Sequence, residues 1–105
     1  MNKVYSFLGF AQRAGKLVSG EQAVEGGVRR GRMFLIVIAS DASDNTRTKF
    51  VSLAHNYNVK CHIYGTKDQL GLAIGKSQRA VIGIADRNFA NVIQTHINES
   101  VHENN

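Results

Sequence analysis

The sequence predicts an α/β fold: a three-layer α/β/α sandwich around a small mixed central sheet. Three observations predict it. FLIVIA (34–39) and AVIGIA (80–85) are continuously apolar and rich in β-branched residues, as strands covered on both faces are. VKCHIYG (59–65) alternates Val59, Cys61 and Ile63 with Lys60, His62 and Tyr64, the pattern of a strand nearer an edge. Between these runs lie segments with apolar residues at helical spacing. Strands alternating with helices stack in layers, with right-handed crossovers where neighbouring strands run parallel. Residues 34–39, 59–64 and 80–85 are therefore expected to be neighbours in one sheet.

Taken in order, Val4, Phe7, Leu8 and Ala11 form a helical stripe that ends before Gly15. KLVS (16–19) follows as a short strand, which adds an edge and makes the sheet mixed. Ala23, Val24 and Val28 carry a second helix, for which Ser19 and Gln22 form a candidate capping box. That helix contains Gly20, Gly26 and Gly27, although a mid-helix glycine costs about 1 kcal/mol against alanine, and three arginines, Arg29, Arg30 and Arg32, crowd its exit. After FLIVIA, SDASDNT supplies turn and capping residues, and Thr46, Phe50, Leu53, Ala54 and Tyr57 give a third helix. Thr66 and Gln69 box the start of a short helix with Leu70, Ala73 and Ile74. Asp86 or Asn88 caps a last helix with Phe89, Val92, Ile93 and Ile97. Residues 1–98 read as a single domain and 99–105 as a polar tail that frays.

The 105 residues suffice for a core without staples, and 43% hydrophobic content is too high for a disordered chain. Net charge is +5 and gathers in one half: residues 1–52 carry 8 Lys/Arg against 4 Asp/Glu, residues 53–105 carry 5 against 4. A basic excess of that kind suits a polyanionic partner, although many basic proteins have none. A single cysteine excludes an internal disulfide and fits a reducing compartment. The opening lacks a signal-peptide core, and no run approaches the roughly 20 apolar residues of a membrane span. The expectation is a cytoplasmic protein that does not enter membranes.

Motifs that carry catalysis are missing. GLAIGKS (71–77) is one residue short of a phosphate-binding loop between its glycines, and it ends a helix where such a loop opens one. Gly75 reads instead as a helix C-cap glycine, with Lys76 a cation near the negative end of the dipole. Cys61 and His62 are adjacent, so on a strand they face opposite sides and form neither a metal site nor a nucleophile–base pair. The other histidines have no carboxylate or cysteine at ligand spacing, and the acidic residues are scattered. No enzyme, cofactor, metal or small-molecule substrate is expected.

GKLVSGEQAVEGGVRRGRMFLIVIASDAS, with LGLAIGK and AVIGIAD further on, resembles the ribosomal protein L-seven-Ae superfamily, and within it the bacterial branch. The shared features are a Gly-Glu helix start, an Asp-Ala-Ser turn, the Leu-Gly and Ile-Gly-Lys pairings and a terminal Phe-Ala helix, over roughly residues 5–98. The resemblance implies a compact α/β/α sandwich that binds kink-turn RNA. Its RNA surface is built from the strand–helix junction before the second helix, here Ser19, Gly20, Glu21 and Gln22. The loop before the last strand completes it, here Gly75, Lys76, Ser77, Gln78 and Arg79. Relatives that bind kink-turns carry an Asn-Glu pair and a lysine one turn later, where this chain has Gln22, Ala23 and Gly26. The implied function is non-enzymatic recognition of structured RNA, kink-turn-like or ribosomal, in association with ribosomes. Gln22 and backbone N–H groups would read the distorted helix, and Lys16, Lys76 and Arg79 would hold phosphates. The alternative is a protein-interaction module that keeps the fold with a degenerate RNA site. Gly20 would open the helix N-terminus to an anion, and Gly27 would permit close packing. The three arginines at the exit also read as a solvated helix end complementing the dipole.

Overall fold

The structure, a computed structural model, describes residues 2–103. Its elements run α1 (Lys3–Arg13), β1 (Leu17–Ser19), α2 (Glu21–Arg29), β2 (Leu35–Ile38), α3 (Asp44–Asn56), β3 (Lys60–Ile63), α4 (Lys67–Ala73), β4 (Val81–Ile84) and α5 (Arg87–Glu103). The sheet order is β1-β4-β2-β3. β2 and β3 are parallel, joined by a crossover through α3. β4 runs antiparallel to both β2 and β1. The three expected strands are neighbours, and KLVS is the added edge that makes the sheet mixed.

The continuous apolar runs lie in the middle of the sheet, and every residue of β2 and β4 is buried. α2 and α3 pack together on one face; α1 packs with α4 and α5 on the other. Side chains alternate across a strand, so each central strand feeds both layers. A Cβ placed on Gly83 would meet Val18, Val24 and Met33, which puts that side of β4 beneath α2. Phe50, Leu8, Leu70, Ile93 and Ile97 close the two helical layers onto the sheet. Full burial of such a side chain contributes about 1.5–3 kcal/mol.

β3 departs from the expected alternation. Cys61 and His62 are both half-buried, and Ile63 is 48% exposed. It is an edge strand, paired on one side only, and Ile63 ends it. Burial holds the Cys61 thiol above its ordinary pKa, so it is a packed, weakly reactive group.

Local capping explains most helix starts. Ser43 Oγ accepts from Thr46 N–H, Asp86 Oδ2 from Phe89 N–H, and Thr66 with Gln69 forms the complete reciprocal box read from the sequence. α2 is the exception. Its N-cap is Gly20, with no side-chain cap, and the Ser19–Gln22 box is not formed. Ser19 is held in β1, paired opposite Ile82, and its hydroxyl is engaged elsewhere. Gly27 lies against Met33: a Cβ there would approach Met33 Cε to 2.7 Å, the close packing expected of it. Helical backbone continues past Asn98 to Glu103, and residues 104–105 of the polar ending lie outside the described residues.

Candidate nucleic-acid interface

The strand–helix junction is built around Gly20. Its φ of 93° lies in the left-handed region that favours glycine, and nothing stands within 4 Å of where a Cβ would be. The turn therefore needs glycine for its backbone, and its outer side is open. Gly20 N–H donates to Val81 O at 3.0 Å, tying the junction to the first residue of β4. Val24 N–H donates back to Gly20 O. The N–H groups of Glu21, Gln22 and Ala23 precede the first intrahelical bond and have no side-chain cap. All three residues are exposed. A helix start in this state presents donors and a positive dipole end to an anion.

Glu21 is turned toward α3. Its Oε2 accepts from Thr46 Oγ1 at 3.1 Å, and Thr46 Oγ1 accepts in turn from Ser43 Oγ. The carboxylate is thus tethered at the boundary of two helix starts. Gln22 is exposed and, among the described residues, has no side-chain hydrogen bond. Its amide is free to donate and accept.

The second segment is the loop from α4 to β4. α4 ends at Ala73, and Gly75 follows with φ 72°. The chain then folds back over α4 so closely that a Cβ on Gly71 would overlap the carbonyl of Ser77. Arg79 N–H donates to Lys67 O at 3.1 Å, and Gln78 Nε2 donates to Asp68 Oδ1 at 2.7 Å. These contacts fix the loop to the first turn of the short helix. Lys76 and Ser77 stay exposed at its tip.

Arg79 joins the two segments. Its Nε donates to Ser19 Oγ at 3.0 Å, while Nη1 donates to Ser77 O, Ser77 Oγ and Gln78 O. The structure therefore brings Ser19, Gly20, Glu21 and Gln22 together with Gly75, Lys76, Ser77, Gln78 and Arg79 on one end of the sheet. Lys16 is not with them. Its carbonyl accepts from Ala85 N–H, beyond the opposite end of β1, and three residues of extended chain put it roughly 10 Å from Ser19. Ser43, Thr46, Asp68 and Gly71 were not read as site residues from the sequence. Thr46 reaches Glu21 across 25 positions of sequence, Asp68 and Gly71 meet the loop that follows their own helix, and Ser43 acts through Thr46, which it also caps. Among the described residues no group of three or more His, Cys, Asp or Glu could hold a metal ion, and no helix is long and apolar enough to cross a membrane.

An α/β/α sandwich with a mixed sheet, a bare helix start and a tethered loop beside it defines a class of small single-core proteins. Residues 2–94 match the ribosomal protein L7Ae/L30e/S12e/Gadd45 family, and the chain belongs to that family. Two relatives are the RNA-binding protein YlxQ of Bacillus subtilis (strain 168) and that of Enterococcus faecium. The first is 38% identical over 87 residues, covering 83% of this chain and 87% of the relative. The second is 35% identical over 88 residues, covering 84% of each. Among solved structures, a protein of unknown function from Bacillus halodurans superposes with a TM-score of 0.91 at 35% identity, covering 93% of this chain and 99% of the other. A 15.5 kD RNA-binding protein of Giardia lamblia superposes with a TM-score of 0.77 at 21% identity, over 92% of this chain and 83% of that one, a likeness of fold.

Proposed function

We propose that this chain is a non-enzymatic RNA-binding protein of the cytoplasm that recognises kinked, structured RNA, ribosomal RNA among its candidates. One observation carries the reading: the Arg79–Ser19 hydrogen bond holds an uncapped helix start beside an exposed, basic loop. The names of the YlxQ relatives support it. Recognition divides between the two segments. The free N–H groups of α2 and the Gln22 amide meet base edges and phosphate oxygens at the kink, where non-Watson–Crick pairing opens the bases to a protein. Lys76 and the remaining donor capacity of Arg79 hold phosphates across the bend. Lys16 is a peripheral phosphate contact in this reading, since it stands at the other end of β1.

The test is a titration of the whole protein against an RNA duplex interrupted by a kink-turn loop and against its uninterrupted counterpart, at several salt concentrations. Tighter binding to the kinked RNA is expected, with an affinity that falls steeply as salt rises. Equal affinity for both RNAs reduces the surface to nonspecific charge. Absence of binding at low salt favours the second reading, a protein-interaction module, which is supported by the family resemblance: it implies glutamate and lysine in kink-turn binders where this chain has Ala23 and Gly26.

A further inference from the structure

A second surface lies at the far end of β4 from Gly20. Gly20 is bonded to Val81, the first residue of that strand, whereas Asp86 follows its end. There α1 packs against α5, and a cleft of about 300 Å³ is lined by Phe7, Asp86, Asn88, Phe89 and Val92. Phe10 extends its apolar wall: it packs edge-to-face on Phe7, with centroids 5.5 Å apart, and stays 46% exposed. Val92 is exposed as well. Open aromatic and aliphatic side chains gathered around one cleft are what a partner's anchor residue covers.

The surroundings of the cleft are basic. Arg13 ends α1, and its guanidinium stands 5.0 Å over the Phe10 ring. Lys16 O accepts from Ala85 N–H at 2.8 Å, next to Asp86 in the chain. Arg87 lies between the lining residues Asp86 and Asn88, at the first helical position of α5, where the helix dipole disfavours a cation. All three residues are exposed, and none forms a salt bridge among the described residues. The nearby acids are engaged: Asp86 Oδ2 caps α5 by accepting from Phe89 N–H at 2.8 Å, and Glu99 is held by His96 at 3.1 Å. Nucleic acid fits this surface poorly. His96 stacks on Phe7, Arg13 covers Phe10 and Arg87 covers Phe34, so ring faces on which a nucleobase would stack are taken. Asp86 also sets a carboxylate in the cleft, which repels a phosphate backbone.

We propose that this cleft docks an acidic segment of a protein partner, with one leucine- or phenylalanine-sized anchor seated between Phe7, Phe89 and Val92. Arg13 and Arg87 then meet the segment's carboxylates, with Lys16 beside them. Asn88 is exposed and, among the described residues, has no side-chain hydrogen bond, so its amide can pair with the segment's backbone. A second copy of this chain is the poorer occupant, because a twofold contact would set the same three cations against one another. The inference does not depend on the RNA-binding reading, whose two segments meet at the start of β4.

The experiment titrates the whole isotope-labelled protein with short peptides in which glutamates surround one phenylalanine or leucine, placed at each position in turn. One control peptide has alanine for the anchor, and another has lysine for every glutamate. Amide shifts are expected to cluster at Phe7, Asn88, Phe89 and Val92 with the anchored acidic peptides and with neither control. Val92→Glu puts a charge where the anchor sits and should weaken binding roughly tenfold, a loss typical of a central anchor. Arg13→Glu and Arg87→Glu together should weaken the acidic peptides and bring the lysine peptide onto the cleft, a reversal that unfolding cannot imitate. The proposal is overturned if no anchored peptide shifts these amides, if the alanine control binds as well, or if charge reversal leaves the preference unchanged. It is also overturned if a single-stranded RNA oligonucleotide shifts the same amides more strongly than the peptides do. Shifts of those amides with protein concentration alone would give the cleft to a second copy and overturn it too.

Discussion

Arg79 Nε donates to Ser19 Oγ at 3.0 Å across 60 positions of sequence, closing the α4–β4 loop onto the end of β1. The same guanidinium donates to Ser77 and to the Gln78 carbonyl. On the proposed reading this residue has two jobs: it would contribute charge at the proposed RNA surface, and it holds the two segments of that surface together. Charge alone would be replaceable by lysine; a planar group with donors on several sides is not.

Arg79→Ala is expected to cost about 1.5–3 kcal/mol of stability, the range for a hydrogen bond to a charged group. It should also weaken kinked and straight RNA together. Arg79→Lys should recover part of the affinity through its charge and little of the stability. Denaturant unfolding and RNA titration of both variants check this. A lysine variant as stable as the native chain would show that the tether contributes nothing.

Gln22→Ala is expected to leave the melting temperature unchanged. Gln22 is exposed, forms no cap and has no side-chain hydrogen bond among the described residues, and surface substitutions of that kind stay within about 0.5 kcal/mol. Its effect should appear in discrimination, narrowing the gap between kinked and straight RNA. A well-placed base contact is worth about 1–3 kcal/mol of discrimination on the scale measured for DNA. An unchanged ratio of the two affinities would remove Gln22 from base recognition.

Much of the architecture is legible because its signals are local. β2 and β4 announce themselves as unbroken apolar runs, and the Thr66–Gln69 box lies within four residues of sequence, so its chemistry is visible before any fold is known. The α2 start shows the opposite. Ser19 and Gln22 have the spacing of a capping box, yet β-pairing with Ile82 and the hydroxyl's bond to Arg79 fix Ser19 outside the helix. Both partners are some 60 residues away, and no local rule weighs them. Lys16, three residues before Ser19, stands at the other end of β1, because a short step in sequence along an extended strand is roughly 10 Å in space. Gly71 looks like a weak point in a short helix until the Ser77 carbonyl is seen to occupy its side-chain space.

Gly71→Ala follows from that contact. The new methyl group would overlap a backbone carbonyl, which cannot rotate away as a flexible side chain can, so the loop itself must shift. The expected cost is about 1–3 kcal/mol, the range for overpacking a tight site, despite alanine's better helix propensity. RNA affinity should fall with it, because Lys76 and Arg79 are carried by the displaced loop. Gly27→Ala is the contrast: its methyl meets the mobile end of Met33, and stability should change by less than for Gly71→Ala. Equal losses at both positions, read from unfolding midpoints, would contradict the distinction between backbone and side-chain obstruction.

His62 predicts a pH dependence of stability that is independent of the RNA surface. Burial in β3 disfavours its charged form, and the nearby Lys60 adds repulsion, so its pKa lies below the ordinary 6.5. Between the lowered folded value and 6.5 the unfolded chain binds a proton that the folded chain refuses. Stability then rises with pH across that window, and it is lost as pH falls through it. Glu25, whose carboxyl Lys49 and Arg29 also hold below its ordinary value, acts in the same direction at lower pH still, below 4.5. Denaturant midpoints measured from about pH 8 down to about pH 5 should therefore fall on the acid side for the native chain. In His62→Gln the decline should be shallower, because glutamine keeps a polar group in the half-buried position and cannot take up the proton. The same slope in both chains would place the pH response elsewhere. A shallower slope in the variant, with kinked-RNA affinity unchanged, assigns the response to His62 and separates it from binding.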